Sequence, residues 1–290
     1  MKRVGLRLAA ISFLNPAPLL WDFEHAPRAQ ELAGRYERVY MSPAECAEKL
    51  IRGEADLGLV PIASLTHELR IVPGCTIASL EAVRSILLLM KNPQHLTQNT
   101  ALARVQTVAA DIASRSSQAY VRLLFAELAG TQPELRQEAA DARIMLHDAD
   151  AALLIGDAAL LAREHSAALD AAHPGLLWLD VATLWRDLTG LPWVAAVWAV
   201  RPEALAREGL RPENLIADLA ASRDAGLAHV DDLVNEWVPR LAVPAATIRT
   251  YLTRNIHYVL DRECVRAIER MRSMATARGI LPELEPLPML

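Results

Sequence analysis

The stretch from Gly53 to Leu65, GEADLGLVPIASL, constrains the chain around it more than any other. Just before it, Ser42-Pro-Ala-Glu45 is a capping box with proline at the first helical position, and Gly53 stands where a left-handed C-cap residue belongs. Between these ends Cys46, Ala47, Leu50 and Ile51 share one face at helical spacing. Asp56 then turns the chain into a continuous apolar run, Leu57 to Val60, which reads as a buried strand. Pro61 stops that strand and can open a further helix. Helix, buried strand and helix make an α/β unit, and such folds bind ligands at the carboxyl ends of their strands.

A second unit of like pattern follows about ninety residues later. Asp150 leads into Ala151 to Ile155, and Gly156-Asp157 turns into a helix. The shared pattern is short. Its functional reading is two lobes of like construction, each offering one strand end to a common cleft. A chain of 290 residues is long for one core and comfortable for two.

The path of the chain fits that division. Strands are predicted at Val4 to Ile11, Tyr36 to Tyr40, Thr76 to Leu80, Val105 to Asp111 and Trp178 to Val181. Two apolar runs, Arg84 to Met90 and Trp193 to Val200, are placed to carry the chain between lobes. The expected domains are therefore residues 1–90 with 196–290, and residues 91–195, joined by a double hinge. Beyond Val200 the sequence reads as a helical segment ending at Gly279, with Pro282, Pro286 and Pro288 in an irregular tail.

Composition excludes several classes. The net charge of −5 argues against nucleic acid as the main partner. Cys46, Cys75 and Cys264 are odd in number and widely spaced, so they suggest no disulfide framework, and the scattered histidines give no zinc spacing. Arg7 and Asn15 interrupt the first apolar stretch, which disfavours a secretory signal, and no run approaches the ~20 apolar residues of a membrane span. The expectation is a soluble cytoplasmic protein with a small-molecule substrate, no nucleic acid or membrane partner, and no cofactor or metal. A homodimer stays open.

Candidate chemistry sits at strand ends. Ser114, Ser116 and Ser117 lie between a predicted strand and a helix starting near Gln118, where hydroxyls and free backbone N–H groups favour an anion. Capping by Ser114 or Ser116 is the plainer reading, and both can hold together. Asn15 precedes Pro16, which biases it to extended backbone. Asp157 is an ordinary N-cap candidate, and Trp193 and Trp198 read as core packing. No glycine-rich phosphate loop and no nucleophile elbow are present. The residues alone describe a two-lobed binder of a small anion, with enzyme and receptor both open.

Six motifs in order resemble the chorismate dehydratases of the futalosine route to menaquinone. They are Ile11 to Leu19, Cys46 to Pro61, Val83 to Ile86, Asp111 to Ser117, Ile155 to Asp157 and Trp185 to Trp193. The family more often has tyrosine where Phe13 stands and threonine where Ser116 stands. The resemblance implies a type II periplasmic-binding-protein-like fold, α/β and two-lobed, used as a cofactor-free lyase. The implied reaction converts chorismate to 3-[(1-carboxyvinyl)oxy]benzoate and water.

Carried over position by position, the resemblance implies catalytic roles for Asn15 and Ser85. It implies substrate contacts from Ser12, Phe13 and Leu14 after the first strand, and from Pro61 and Arg84. In the other lobe it implies contacts from Ser114, Ser116 and Ser117, and from Ile155, Gly156 and Asp157. Two other readings share the fold: an enzyme similar to 1,4-dihydroxy-6-naphthoate synthase, and a non-enzymatic binder of small anions.

Overall fold

The computed structural model describes residues 5–290, so Val4, the expected start of the first strand, lies outside the described residues. Eleven strands form two mixed sheets among these residues. In chain order they are β1 (Leu6–Ile11), β2 (Tyr36–Met41), β3 (Leu57–Pro61), β4 (Arg70–Ser79), β5 (Ile86–Met90), β6 (Thr107–Asp111), β7 (Glu134–Glu138), β8 (Ala151–Ile155), β9 (Leu177–Asp180), β10 (Trp193–Val200) and β11 (His257–Leu260). One sheet runs β2-β1-β3-β10-β4-β11 and the other β7-β6-β8-β5-β9.

Written that way, the two sheets repeat one plan. In each, a strand pairs in parallel with the two beside it: β1 with β2 and β3, β6 with β7 and β8. In each, a strand arriving from the far side then pairs antiparallel, β10 against β3 and β5 against β8. The short pattern shared by Asp56 to Val60 and Asp150 to Ile155 thus marks equivalent strands. The two aspartates act alike as well. Asp56 Oδ2 accepts from the amide of Arg7 at the start of β1, and Asp150 Oδ2 from those of Gln106 and Thr107 at the start of β6. Each carboxylate fixes the parallel neighbour of its own strand.

Local chemistry explains why these elements form. Helix Pro43–Ile51 carries the full capping box, Ser42 accepting from the Glu45 amide and the Glu45 carboxylate accepting from the Ser42 amide. It ends at a glycine with φ of 70°, Gly53. The helix lies on β3 because Gly58 has no side chain: a Cβ there would stand 2.5 Å from Cys46 Sγ. β5 is buried on both faces, Leu87 and Leu89 entering one core cluster and Ile86, Leu88 and Met90 the other.

Pro61 ends β3 rather than stopping it one residue earlier, and only a single 3-10 turn, Ile62–Ser64, follows. The predicted strand at Thr76 to Leu80 is the end of a ten-residue strand, since Ile71, Val72 and Cys75 are as buried as Ile77. β7 and β11 were not anticipated as strands. Both are short edge strands: β7 is polar and mostly exposed, and β11, only four residues long, lies inside a stretch that reads as helical and is too short to show a period.

We propose lobe boundaries from the strand pairing. β5 belongs with the five-stranded sheet and Trp193 and Val194 with the six-stranded one, where they face Ser79 and Ala78. That puts the first crossing at residues 80–85 and the return at residues 190–192, somewhat before 90/91 and 195/196.

Candidate active site

The carboxyl ends of β1, β3, β6 and β8 meet where the lobes face each other. Ile11, Phe13, Asn15 and Pro61 line one side of the slot between them; Ser114, Ser116, Ser117, Ile155 and Gly156 line the other, with Ala195 of β10 at the seam. The slot has about 60 Å³ of free volume. Small-molecule sites usually offer ~300–1,000 Å³, so the lobes are shut here and must part to admit a ligand.

Contacts across the seam hold the shut form. The amide of Leu14 donates to Asp157 Oδ1 at 3.0 Å. Ser116 Oγ donates to the carbonyl of Ala195 at 2.8 Å and accepts from the Ala63 amide at 3.3 Å. Arg115 reaches Glu48 at 3.2 Å. Gly156, with φ of 58°, is where the Phe13 ring packs: a Cβ there would lie 3.0 Å from two ring carbons.

The serines divide their labour. The helix starts at Ser116, with Arg115 at the N-cap position and no side-chain cap, so neither Ser114 nor Ser116 plays the expected capping role. Ser116 is taken up by the seam. Ser114 is 2% exposed, and its Oγ has no hydrogen-bond partner among the described residues. Ser117 is also buried on the slot wall. A buried hydroxyl without a partner beside free helix N–H groups is what an anion site needs.

Other expected positions fall around the slot rather than on it. Ser12 is exposed and, with Asp157, lines a neighbouring cavity that also holds Arg38 and Arg240. Phe13 borders both cavities. Asp157 does not cap its helix, where Ile155 holds the N-cap position. Burial raises its carboxyl to about 6 against the opposing bond from Leu14. Arg84 has φ of 63°, and its amide donates to Asp180 Oδ2 at 2.7 Å. Its side chain is outside the slot lining.

Ser85 is 1% exposed, just behind Ile86 of the slot wall. Its Oγ accepts from the Tyr251 hydroxyl at 2.7 Å, and its carbonyl accepts from the Gly156 amide. A hydroxyl that accepts in this way keeps its own proton free to donate. Tyr251 lies 166 residues away in the helical C-terminal segment and gave no sequence signal. Burial drives its hydroxyl far above the ordinary tyrosine value, so it stays a donor.

Outside the slot, His257, Asp261 and Cys264 come together. Asp261 there caps the last helix by accepting from the Cys264 amide at 2.8 Å and meets His257 Nε2 at 3.0 Å. Burial pushes the Cys264 thiol up to about 12, against a thiolate ligand. No helix among the described residues is long and apolar enough to cross a membrane.

Known proteins share this arrangement. A protein from Archaeoglobus fulgidus superposes with a TM-score of 0.72 at 16% identity, covering 96% of this chain and 98% of that one. The periplasmic aliphatic sulphonate binding protein of Escherichia coli gives 0.65 at 16% identity, covering 97% and 89%. At these identities the likeness concerns the fold, which is the expected periplasmic-binding-protein-like one. In sequence, chorismate dehydratase of Thermus thermophilus is 32% identical over 256 residues, 83% of this chain and 88% of that protein. The menaquinone biosynthesis family matches residues 6–277, nearly the whole two-lobed body with its slot, and the chain belongs to that family.

Proposed function

We propose that this protein is a chorismate dehydratase, a lyase forming 3-[(1-carboxyvinyl)oxy]benzoate and water. The observation that carries the reading is the unpartnered Ser114 hydroxyl, with Ser117 and a helix N-terminus, facing Asn15 across a slot the lobes can shut. Family membership and the Thermus relative support it.

The chemistry follows from what the walls offer. Ser114, Ser117 and the free N–H groups of the helix hold one carboxylate of the substrate. The proton on the ring carbon that bears the enolpyruvyl ether leaves first. The resulting carbanion is conjugated through the ring diene with the ring carboxylate. Expulsion of the neighbouring hydroxyl, which departs as water with the proton removed earlier, makes the ring aromatic.

Among the described residues no strong base lines the slot. Asp157 opens to the neighbouring cavity beyond Phe13. The folded enolpyruvyl carboxylate of the substrate takes the proton. Asn15 donates to the departing hydroxyl or the developing dienolate, and Ser85, its oxygen held by Tyr251, supplies a second donor once the substrate spreads the lobes. Closure excludes water and strengthens both donors.

Incubation with chorismate, followed by absorbance and mass analysis, tests the reading. A product lighter by one water is expected. Chorismate recovered unchanged, with tight binding, would instead favour a non-enzymatic binder of small anions.

A further inference from the structure

The segment between β4 and β5 takes a backbone shape that its sequence does not favour. Arg84 has φ of 63°, a left-handed conformation uncommon for any residue but glycine. Its side chain is exposed and makes no hydrogen bond or ion pair among the described residues, so the conformation is held through the backbone.

Asp180, the last residue of β9, supplies that hold. Its Oδ2 accepts from the Arg84 amide at 2.7 Å and its Oδ1 from the Val83 amide at 3.3 Å. The same Oδ1 caps helix Val181–Thr189, accepting from Ala182 at 3.0 Å and from Thr183 at 3.2 Å. Capping therefore uses Oδ1 alone, and the shortest of the four bonds lies outside the cap. From the other side a single π turn, Tyr251–Asn255, grips the same segment. Asn255 Nδ2 donates to the Ala82 carbonyl at 2.9 Å, and the Tyr251 hydroxyl donates to Ser85 Oγ at 2.7 Å. Turns of this kind are rare and recur at functional sites.

Ser85 follows Arg84 directly, so the left-handed turn sets where its hydroxyl and carbonyl point. The carbonyl accepts from the Gly156 amide at 2.7 Å. A return of Arg84 to ordinary φ would turn Ser85 away from both Tyr251 and Gly156. We propose that Asp180 is a positioning residue: by holding Arg84 left-handed, it aims the Ser85 hydroxyl. This role rests on the functional reading above, in which Ser85 donates to developing charge. Position 84 then acts through its backbone, where the resemblance implied a substrate contact.

Two substitutions separate positioning from capping. Asp180→Ser retains a good helix cap but is too short to reach Arg84, and Asp180→Ala does neither. Melting temperature should fall in Asp180→Ala and recover in Asp180→Ser. Turnover should not recover. In both, kcat is expected ~10–100-fold below wild type, the scale of a small misplacement, with the chorismate dissociation constant within ~3-fold. Placed on Ser85→Ala, Asp180→Ser should lower kcat by less than ~2-fold more, because the group it positions is gone. Recovery of kcat together with melting temperature would mean that capping was the whole role. A full further loss over Ser85→Ala would place its action elsewhere, and either result overturns the proposal. Amide exchange on the free protein tells these failures from a failure of the functional reading. If wild type leaves chorismate unchanged, that reading falls and the Val83 and Arg84 amides decide the tie. Exchange at least ~10-fold faster in Asp180→Ser than in wild type supports it, and equal exchange overturns it. Asp180→Thr, a second short cap, repeats the test should the serine variant fail to fold.

Discussion

The backbone amide of Leu14 in one lobe donates to Asp157 Oδ1 in the other, 143 residues away, at 3.0 Å. Burial raises that carboxyl from an ordinary value near 3.8 to about 6. The native state therefore binds more protons than the unfolded chain between those values, and stability falls as pH rises through that window. Asp157→Asn keeps an acceptor for Leu14 and removes the titration. Relative to wild type it should gain about 1–3 kcal/mol between pH 4 and pH 7, because each tenfold change in proton affinity is worth ~1.4 kcal/mol. Denaturant melts at several pH values measure this; parallel pH dependence in both proteins would refute it.

The serines of the slot should separate by role. Ser117→Ala, alone or with Ser114→Ala, should weaken substrate binding roughly 10–100-fold, the worth of one charge-assisted hydrogen bond, with little loss of melting temperature. Ser116→Ala should instead loosen the seam, because its hydroxyl bridges the Ala195 carbonyl and the Ala63 amide. Substrate-induced compaction, followed by small-angle scattering, should then need more ligand. Equal effects of all three on binding and stability would show that the division is wrong.

Turnover should respond most to Asn15 and Ser85. A positioned donor to developing charge is worth ~10²–10³ in kcat. Asn15→Ala and Ser85→Ala should lose about that much while chorismate binding stays within a few fold. Tyr251→Phe should cost less, ~10-fold, since it removes the bond that orients Ser85 and leaves Ser85 in place. A chorismate analogue lacking the enolpyruvyl carboxylate should bind and fail to react. Its smooth turnover would assign the base to the protein.

Asp56 should matter for stability alone. It is 1% exposed and accepts from the Arg7 amide and side chain and from Arg207, while both guanidinium groups stay partly in water. Burial would raise its carboxyl, but the hydrogen bonds from Arg7 and Arg207 outweigh burial and hold it below the usual value. Its contribution is present above pH ~4 and is lost as pH falls through the lowered value. Asp56→Ala should cost about 3 kcal/mol at neutral pH, the low end for breaking a buried ion pair, and the deficit should shrink in acid. An unchanged denaturation midpoint at pH 7 would contradict this.

By itself the sequence determined what local chemistry decides. The capping box at Ser42, the left-handed Gly53 and the buried runs β3, β8 and β10 lie where the residues put them, because caps, chirality and apolar runs act within a few residues. Even the short likeness of Asp56 and Asp150 marked strands in equivalent places. Edge strands β7 and β11 carry no such local signal, since a polar strand like β7 and a four-residue strand like β11 at a sheet border owe their form to pairing with a neighbour distant in sequence. The serines near residue 115 stand beyond the end of β6 and on the slot wall, yet nothing local could say which would be spent on the seam. Ser116 belongs to Ala63 and Ala195, Asp157 to Leu14, and Ser85 to Tyr251, all contacts made over long chain separations. Hydrogen bonds of that kind exist only once two lobes are packed, so the tertiary structure alone assigned those side chains.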